Sequence, residues 1–258
     1  MSHPSISRRT VLMRAGVTVA AAAVSSIAVT ALTPTAAYAQ STPPAPAVDD
    51  IQATVLRLKA EQARVFTGKP SPNGWEMEKL VDAGGSVWTR PVPGTQIDGV
   101  GVRLGDVETV LFHVARRFNF EIDVLRKGDI TGWQAPGGVR KGLPEGNLAS
   151  GTAIRIRTGH YPPGVKGGFF AHEVLVLRDV LAELEGVVRW GGDDSKTDEA
   201  LFYLCVAPDD KHLPQVAAKL RSWADQPARG AGTHIDVLAP ERARAARSLE
   251  RTQQNHTV

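Results

Sequence analysis

Apolar residues recur along this chain at two periods, and the switches between them predict the order of elements. Ile51, Val55, Leu58 and Val65 fall at helical spacing behind Asp49 or Asp50, either of which can cap the start; Gly68 and Pro70 end the segment. Ser71-Pro72-Asn73-Gly74-Trp75 reads as a turn leading to a short stretch with Leu80 and Val81. Gly84 and Gly85 open a strand over 86–90 that Pro91 and Pro93 close, and Val100, Val102 and Leu104 alternate as a second strand. Val107, Val110, Leu111, Val114 and Phe118 make one face of a helix. Phe120, Ile122 and Val124 then alternate with Glu121 and Asp123, which predicts a strand over 119–125.

A long glycine-rich stretch, 126–147, shows neither period; a loop of that length in a compact domain usually wraps a site. Residues 152–157 read as a strand with Ala153 on one face and Ile154 and Ile156 on the other. A second loop, 159–168, carries His160, Tyr161, Pro162 and Pro163. Helix spacing returns over 169–184, with Val174, Leu177, Leu181 and Leu184 as the buried stripe. Residues 187–190 form a strand, 191–197 a polar loop, 201–206 a strongly apolar strand and 213–224 an amphipathic helix. A Gly/Pro-rich patch over 226–232 precedes a final basic helix over 240–251. There is no internal repeat and no regular βαβ alternation. The fold class is therefore α+β, a single domain with a small mixed or antiparallel sheet packed by helices.

The first 39 residues stand apart from this pattern. A short basic segment contains the pair Arg8-Arg9 before Thr10-Val11-Leu12, a mild alanine-rich apolar run follows, and Ala37-Tyr38-Ala39 offers a small-residue cleavage site. That order describes a secretory leader of the twin-arginine type over 1–39, so the expected destination is the cell envelope or the medium, with the twin-arginine export machinery as a transient partner. The apolar run approaches the roughly 18 residues that can span a bilayer. Its weak hydrophobicity and the cleavage site favour removal over a stable membrane anchor, and no cysteine stands at the cleavage point to take a lipid. Residues 40–48, with Pro43, Pro44 and Pro46, read as a linker, 49–225 as the main domain, and 226–258 as a C-terminal extension with a basic helix.

The leader carries three arginines and no acid, which is the whole of the formal charge of +3. The remaining 219 residues are neutral, and a neutral chain lacks the basic face that nucleic acid requires. Cys205 is the only cysteine, so no internal disulfide can form; its place in the apolar 201–206 run reads as a buried strand residue. A chain of this size can bury roughly 70% of its unfolded surface, enough to be stable on its core alone.

The stretches that carry chemistry are 147–157, reading Asn-Leu-Ala-Ser-Gly-Thr-Ala-Ile-Arg-Ile-Arg, and 188–206, with Arg189-Trp190-Gly191-Gly192-Asp193 followed by Asp198 and Phe202. Gly151-x-Ala153 together with the Arg-Trp-Gly-Gly-Asp run resembles the zinc D-alanyl-D-alanine carboxypeptidases of the Hedgehog/DD-peptidase superfamily, over about a quarter of the chain. The resemblance implies a Hedgehog/DD-peptidase-like fold. In that family a histidine precedes the glycine by three residues, an aspartate follows it by four, and a second histidine stands three residues after an acidic one. The metal there polarises a peptide carbonyl and activates water, while the carboxylate moves the proton.

Carried over position by position, the ligand set is lost. The first histidine position is Leu148, the aspartate position is Arg155, and the second histidine position is Leu201; only the acidic position survives, as Asp198. A catalytic zinc needs about three protein ligands, so neither a metal nor any other cofactor is expected. His172-Glu173 lacks the second histidine of a His-Glu-x-x-His helix, and no nucleophile elbow, phosphate loop or dinucleotide fingerprint occurs.

What remains is a set of binding residues. Arg155 can pair with Asp198, receive a ligand carboxylate in a two-pronged fork, or stand on a solvent-facing strand edge beside Arg157. His160 in its loop, Trp190 and Asp193 complete the candidate ligand site, and Asp198 is the candidate catalytic residue. Glu121 and Asp123 offer a weaker acid/base pair. Arg242, Arg244, Arg247 and Arg251 read as a solvated helix face, with anionic envelope polymers as a lesser option. The expected function is a non-catalytic binding protein for peptidoglycan peptide or another carboxylate-bearing ligand. The alternatives are a metal-independent enzyme using Asp198 and Arg155, then an active peptidoglycan peptidase on a rebuilt site.

Overall fold

In the computed structural model, residues 48–226 and 229–255 are described, and they belong to one compact unit. The leader over 1–39 and all of the linker except Val48 lie outside the described residues. Five α-helices and eight short strands occur among them, so the α+β class holds. None of these helices is long and apolar enough to cross a membrane.

Helix α1 (Val48–Val65) runs straight into the hairpin β1 (Phe66–Pro70) and β2 (Glu76–Glu78). Its apolar stripe is only partly used: Val65 is buried, whereas Ile51, Val55 and Leu58 stay exposed. Strands β3 (Val87–Arg90) and β4 (Val100–Arg103) pair antiparallel as a second ribbon. Glu78 joins the two ribbons, because its fully buried carboxylate accepts the N–H groups of Ser86 (2.9 Å) and Val87 (3.2 Å) and the Arg103 guanidinium (3.4 Å).

The main sheet is antiparallel throughout, in the order β5-β6-β8-β7, with β5 at Ile130–Thr131, β6 at Ala153–Ile156, β7 at Val188–Trp190 and β8 at Leu201–Leu204. Period-2 geometry gives this sheet two faces. Ile154, Ile156, Phe202, Leu204, Val188 and Trp190 enter the large core, where helices α2 (Asp106–Glu121), α3 (Ala171–Glu183) and α4 (His212–Ala224) pack. Ala153, Leu201 and Tyr203 point the other way and join Leu148 in a separate small cluster.

Helix α5 (Pro240–Asn255) packs against α3, and Gln253 Nε2 donates to the Val188 carbonyl (2.9 Å) on the outer strand of the sheet. Arg242 departs from the expected solvated face. Its guanidinium reaches Asp179 (2.8 Å) and Glu183 (2.6 Å), where fully buried Arg117 also binds both carboxylates. A helix that brings a cation to two buried acids belongs to the core's electrostatics, since those acids are costly to bury unpaired.

Two further expectations fail. Residues 119–121 continue α2 rather than starting a strand, because Phe118 is buried one turn on from Val114 and the i,i+4 pair Arg117–Glu121 closes across the last turn. Cys205 lies just beyond β8 and is exposed, its thiol donating to the Gly186 carbonyl (3.0 Å), because the strand ends one residue earlier.

Candidate functional site

The second face of the main sheet is where the two chemistry-bearing stretches meet. Arg155 and Leu201 are cross-strand partners in the β6–β8 register, and Ala153 faces Tyr203. A 3₁₀ turn, Pro144–Ser150, lays Leu148 over this face, and Leu148 and Leu201 are both buried in the small cluster that Val139 closes from outside. The four positions Leu148, Arg155, Asp198 and Leu201 thus converge.

Two glycines make the close approach possible. Gly151 ends the turn in the left-handed conformation (φ 68°), and a Cβ there would lie 2.7 Å from the Arg103 backbone nitrogen. At Gly191 a Cβ would lie 2.6 Å from the Asp198 carbonyl oxygen. The same approach lets Asp198 N–H donate to the Gly191 carbonyl (2.9 Å), which fixes the carboxylate's position.

Arg155 fills the centre. Its Nε and Nη2 donate to Asp198 Oδ2 (2.9 and 2.6 Å), and Nη2 also donates to Glu145 Oε2 (2.6 Å). Arg140 closes the far side of Glu145 through Nε (2.7 Å), Nη2 (2.8 Å) and its own backbone N–H (2.6 Å). The result is an alternating chain, Arg140–Glu145–Arg155–Asp198, in which each inner charge touches an opposite one. The hydrogen bonds from Arg140, helped by Arg155, hold the Glu145 carboxyl at about 2, well below its usual value. Asp198 Oδ1 is the exception: it is buried and accepts no hydrogen bond among the described residues. It borders a crevice of about 10 Å³, rimmed by Arg140, Lys196 and Pro144, which has room for about one water.

Arg189, on the edge strand β7 of the same face, is bound by Asp194 (2.9 Å), whose two oxygens also accept the Tyr203 hydroxyl (both 3.0 Å). Burial pushes the Asp194 carboxyl upward, opposed by Arg189 and Tyr203.

The other residues singled out from the sequence are not brought to this centre. His160 is exposed on the turn after β6 and makes no hydrogen bond or ion pair to Arg155 or Asp198. Trp190 is a core residue: its Nε1 donates to the Glu199 carbonyl (2.7 Å), its ring meets Phe169 edge-on, and Arg178 lies over it at 5.1 Å. Asp193 is held in a two-pronged ion pair by Arg178, with one contact at 2.6 Å. Glu121 and Asp123 do not form a pair, since Arg117 takes the first and Arg157 the second.

Glu145 and Arg140, which complete the charge chain, carry no motif in the sequence. Glu145 lies two residues before the 147–157 stretch, in the aperiodic loop, and only the turn that brings Leu148 over the sheet makes it a neighbour of Arg155.

A zinc ion does not fit these residues. Leu148 and Leu201 offer no donor atom, and the Arg155 guanidinium lies within 2.6 Å of the Asp198 carboxylate. Among the described residues, no group of three or more His, Cys, Asp or Glu side chains could hold a metal ion. Compared with protein-family models, curated proteins and solved structures, the chain matches none.

Proposed function

We propose that this chain is an exported cell-envelope protein descended from zinc D-alanyl-D-alanine carboxypeptidases, with their Hedgehog/DD-peptidase-like fold, in which an arginine has taken the place of the metal. On this reading it works as a non-catalytic binding protein for peptidoglycan peptide or another carboxylate-bearing ligand. The observation that carries the reading is the Arg155–Asp198 ion pair: on this reading a cation is retained where the three ligand positions, Leu148, Arg155 and Leu201, meet the acidic position Asp198, but as a guanidinium. A guanidinium neutralises the surviving carboxylate yet leaves no open position at which a water could be activated. The crevice walls carry Glu145, Asp194 and Asp198, but at its mouth exposed Lys196 and the outward side of Arg140 suit a ligand carboxylate that stays outside.

Two measurements test this. Metal analysis of the purified protein is expected to find no stoichiometric zinc, and a stoichiometric content would sink the reading. The triple substitution Leu148→His/Arg155→Asp/Leu201→His is expected to create zinc binding, because it restores the family's donors at positions that already converge. Failure of a folded triple variant to take zinc would argue against the ancestry. For the ligand, retention on purified peptidoglycan should fall in Arg140→Gln/Lys196→Gln.

The unpartnered Asp198 Oδ1 favours one alternative, a metal-independent enzyme with Asp198 as its general base. That reading requires substrate to enter a crevice with room for one water. It stands only if a turnover found by substrate screening is abolished by Asp198→Asn.

A further inference from the structure

The loop that walls the crevice has a second side. Arg140, Pro144 and Glu145 border the crevice, whereas Val139, Lys141, Gly142 and Gly146 line a separate open groove of about 890 Å³. The opposite wall of that groove is one face of the β1–β2 hairpin, where Lys69 and Met77 stand; Phe66, Gly68 and Glu76 belong to the hairpin's other side, and Thr67 and Lys79 border both. Its size is that of sites that enclose whole small molecules.

Three properties of the groove narrow its occupant. Its surface is mostly apolar, built from Pro70, Pro72, Met77, Pro136 and Val139. Lysines stand on both walls and no carboxylate lines it. Among the described residues, the Lys69 and Lys141 ammonium groups have neither an ion pair nor a hydrogen bond, and Lys79 only donates to the Ala63 carbonyl (2.6 Å). Finally, the backbone of β1 around Gly68 and Lys69 is turned to local partners. The Lys69 N–H and carbonyl both bond the Thr67 hydroxyl (3.0 Å each), and the Gly68 N–H donates to Glu76 (2.7 Å). The three prolines lack an N–H. A peptide laid along β1 would find no ladder to extend, whereas an alkyl chain needs none.

We propose that this groove binds a long-chain carboxylate, its alkyl chain on the Met77 and proline surface and its head group between Lys69 and Lys141. The inference is independent of the crevice and of the chain's ancestry.

The test is calorimetric titration of the purified protein with decanoate, dodecanoate and tetradecanoate below their micellar concentrations. Dodecyltrimethylammonium and a short apolar peptide with a free C-terminus serve as comparators. One-to-one binding is expected, tightening about two- to fourfold per added methylene as apolar surface is buried. The cationic amphiphile should bind at least about tenfold more weakly, and Lys69→Gln/Lys141→Gln should weaken dodecanoate about tenfold while the melting temperature holds. Met77→Asp should remove the chain-length dependence, while Arg140→Gln/Lys196→Gln should leave dodecanoate binding unchanged, which separates this site from the crevice. Absence of saturable carboxylate binding, equal affinity for the cationic amphiphile, or tighter binding of the peptide would each overturn the proposal.

Discussion

The 136–146 loop has two sides, and the chain uses opposite chemistry on them. Facing the sheet, its charges are arginine and glutamate, locked into a chain with Arg155 and Asp198 that closes over Leu148 and Leu201. Facing the hairpin, its charge is Lys141, set across an open apolar groove from Lys69 with no acid to meet either. Arginine suits the first task because its planar fork satisfies two carboxylates at once and it sheds water more readily than an ammonium. Lysine suits the second, since a well-hydrated ammonium can stand at a rim without a partner. The difference separates charge that holds the fold from charge that is available to a ligand.

The sharpest way to break the first side is Arg155→Ala. It strands the buried Asp198 carboxylate beside Glu145, which keeps Arg140, so the expected cost is about 3–5 kcal/mol in urea unfolding. Arg155→Met combined with Asp198→Leu should cost much less, because removing both charges avoids the stranded carboxylate. If the single and double variants lose the same stability, the guanidinium is not what holds this centre. Next comes the apolar plug: Leu148→Ala should cost about 2–5 kcal/mol, the range for truncating a buried leucine whose surroundings cannot collapse. A cost near zero would mean that the plug is loose and the crevice larger than drawn.

These contrasts also mark how far the sequence could be read. Strands β6, β7 and β8 and helices α3 and α4 were legible as apolar runs or helical stripes, whereas β5, only two residues long, lay hidden in the aperiodic 126–147 loop. The resemblance singled out Leu148, Arg155, Asp198 and Leu201, but the residues left open whether Arg155 meets Asp198 or faces solvent, and only the β6–β8 register decides it. Residues 119–125 misled because Phe120, Ile122 and Val124 alternate by coincidence; Phe120 and Val124 are in fact exposed, and the i,i+4 pair Arg117–Glu121 carries the helix onward. Trp190 and Asp193 looked like ligand residues because the motif is polar and aromatic, but their partners, Arg178 and Phe169, come from other parts of the chain. The groove was invisible for the same reason. Its lysines lie on three segments, and nothing local distinguishes them from a solvated surface.

Acid should erode the first side without touching the second. Glu145, held at about 2, is bound more tightly as the anion in the folded protein than in the unfolded chain, where a glutamate titrates near 4.3. Its contribution is therefore complete above the unfolded value and is lost as pH falls toward 2. Glu183 behaves alike: burial opposes its charge, but the hydrogen bonds from His113 and Arg242 and the charge of Arg117 prevail and bring it to about 2. Urea midpoints between pH 5 and pH 2 should fall for the wild type and fall less steeply for Glu145→Gln, the remaining slope reporting Glu183 and the other carboxyls held low, Asp98 and Asp123. An identical slope in the two proteins would show that Glu145 is not tied to Arg140 and Arg155 as described.

The smallest expected effect on stability is the most informative about function. Lys69→Gln and Lys141→Gln remove charges that have no partner among the described residues, so each should change unfolding free energy by no more than about 0.5 kcal/mol. Any ligand anion they hold is screened by salt, because both lysines are exposed. Raising ionic strength should therefore weaken binding to the wild type more than to the double variant, while the unfolding curves of the two proteins stay superimposed. A stability loss comparable to that of Leu148→Ala would place these lysines with the arginines, as charge that holds the fold, and the distinction between the two sides of the loop would collapse.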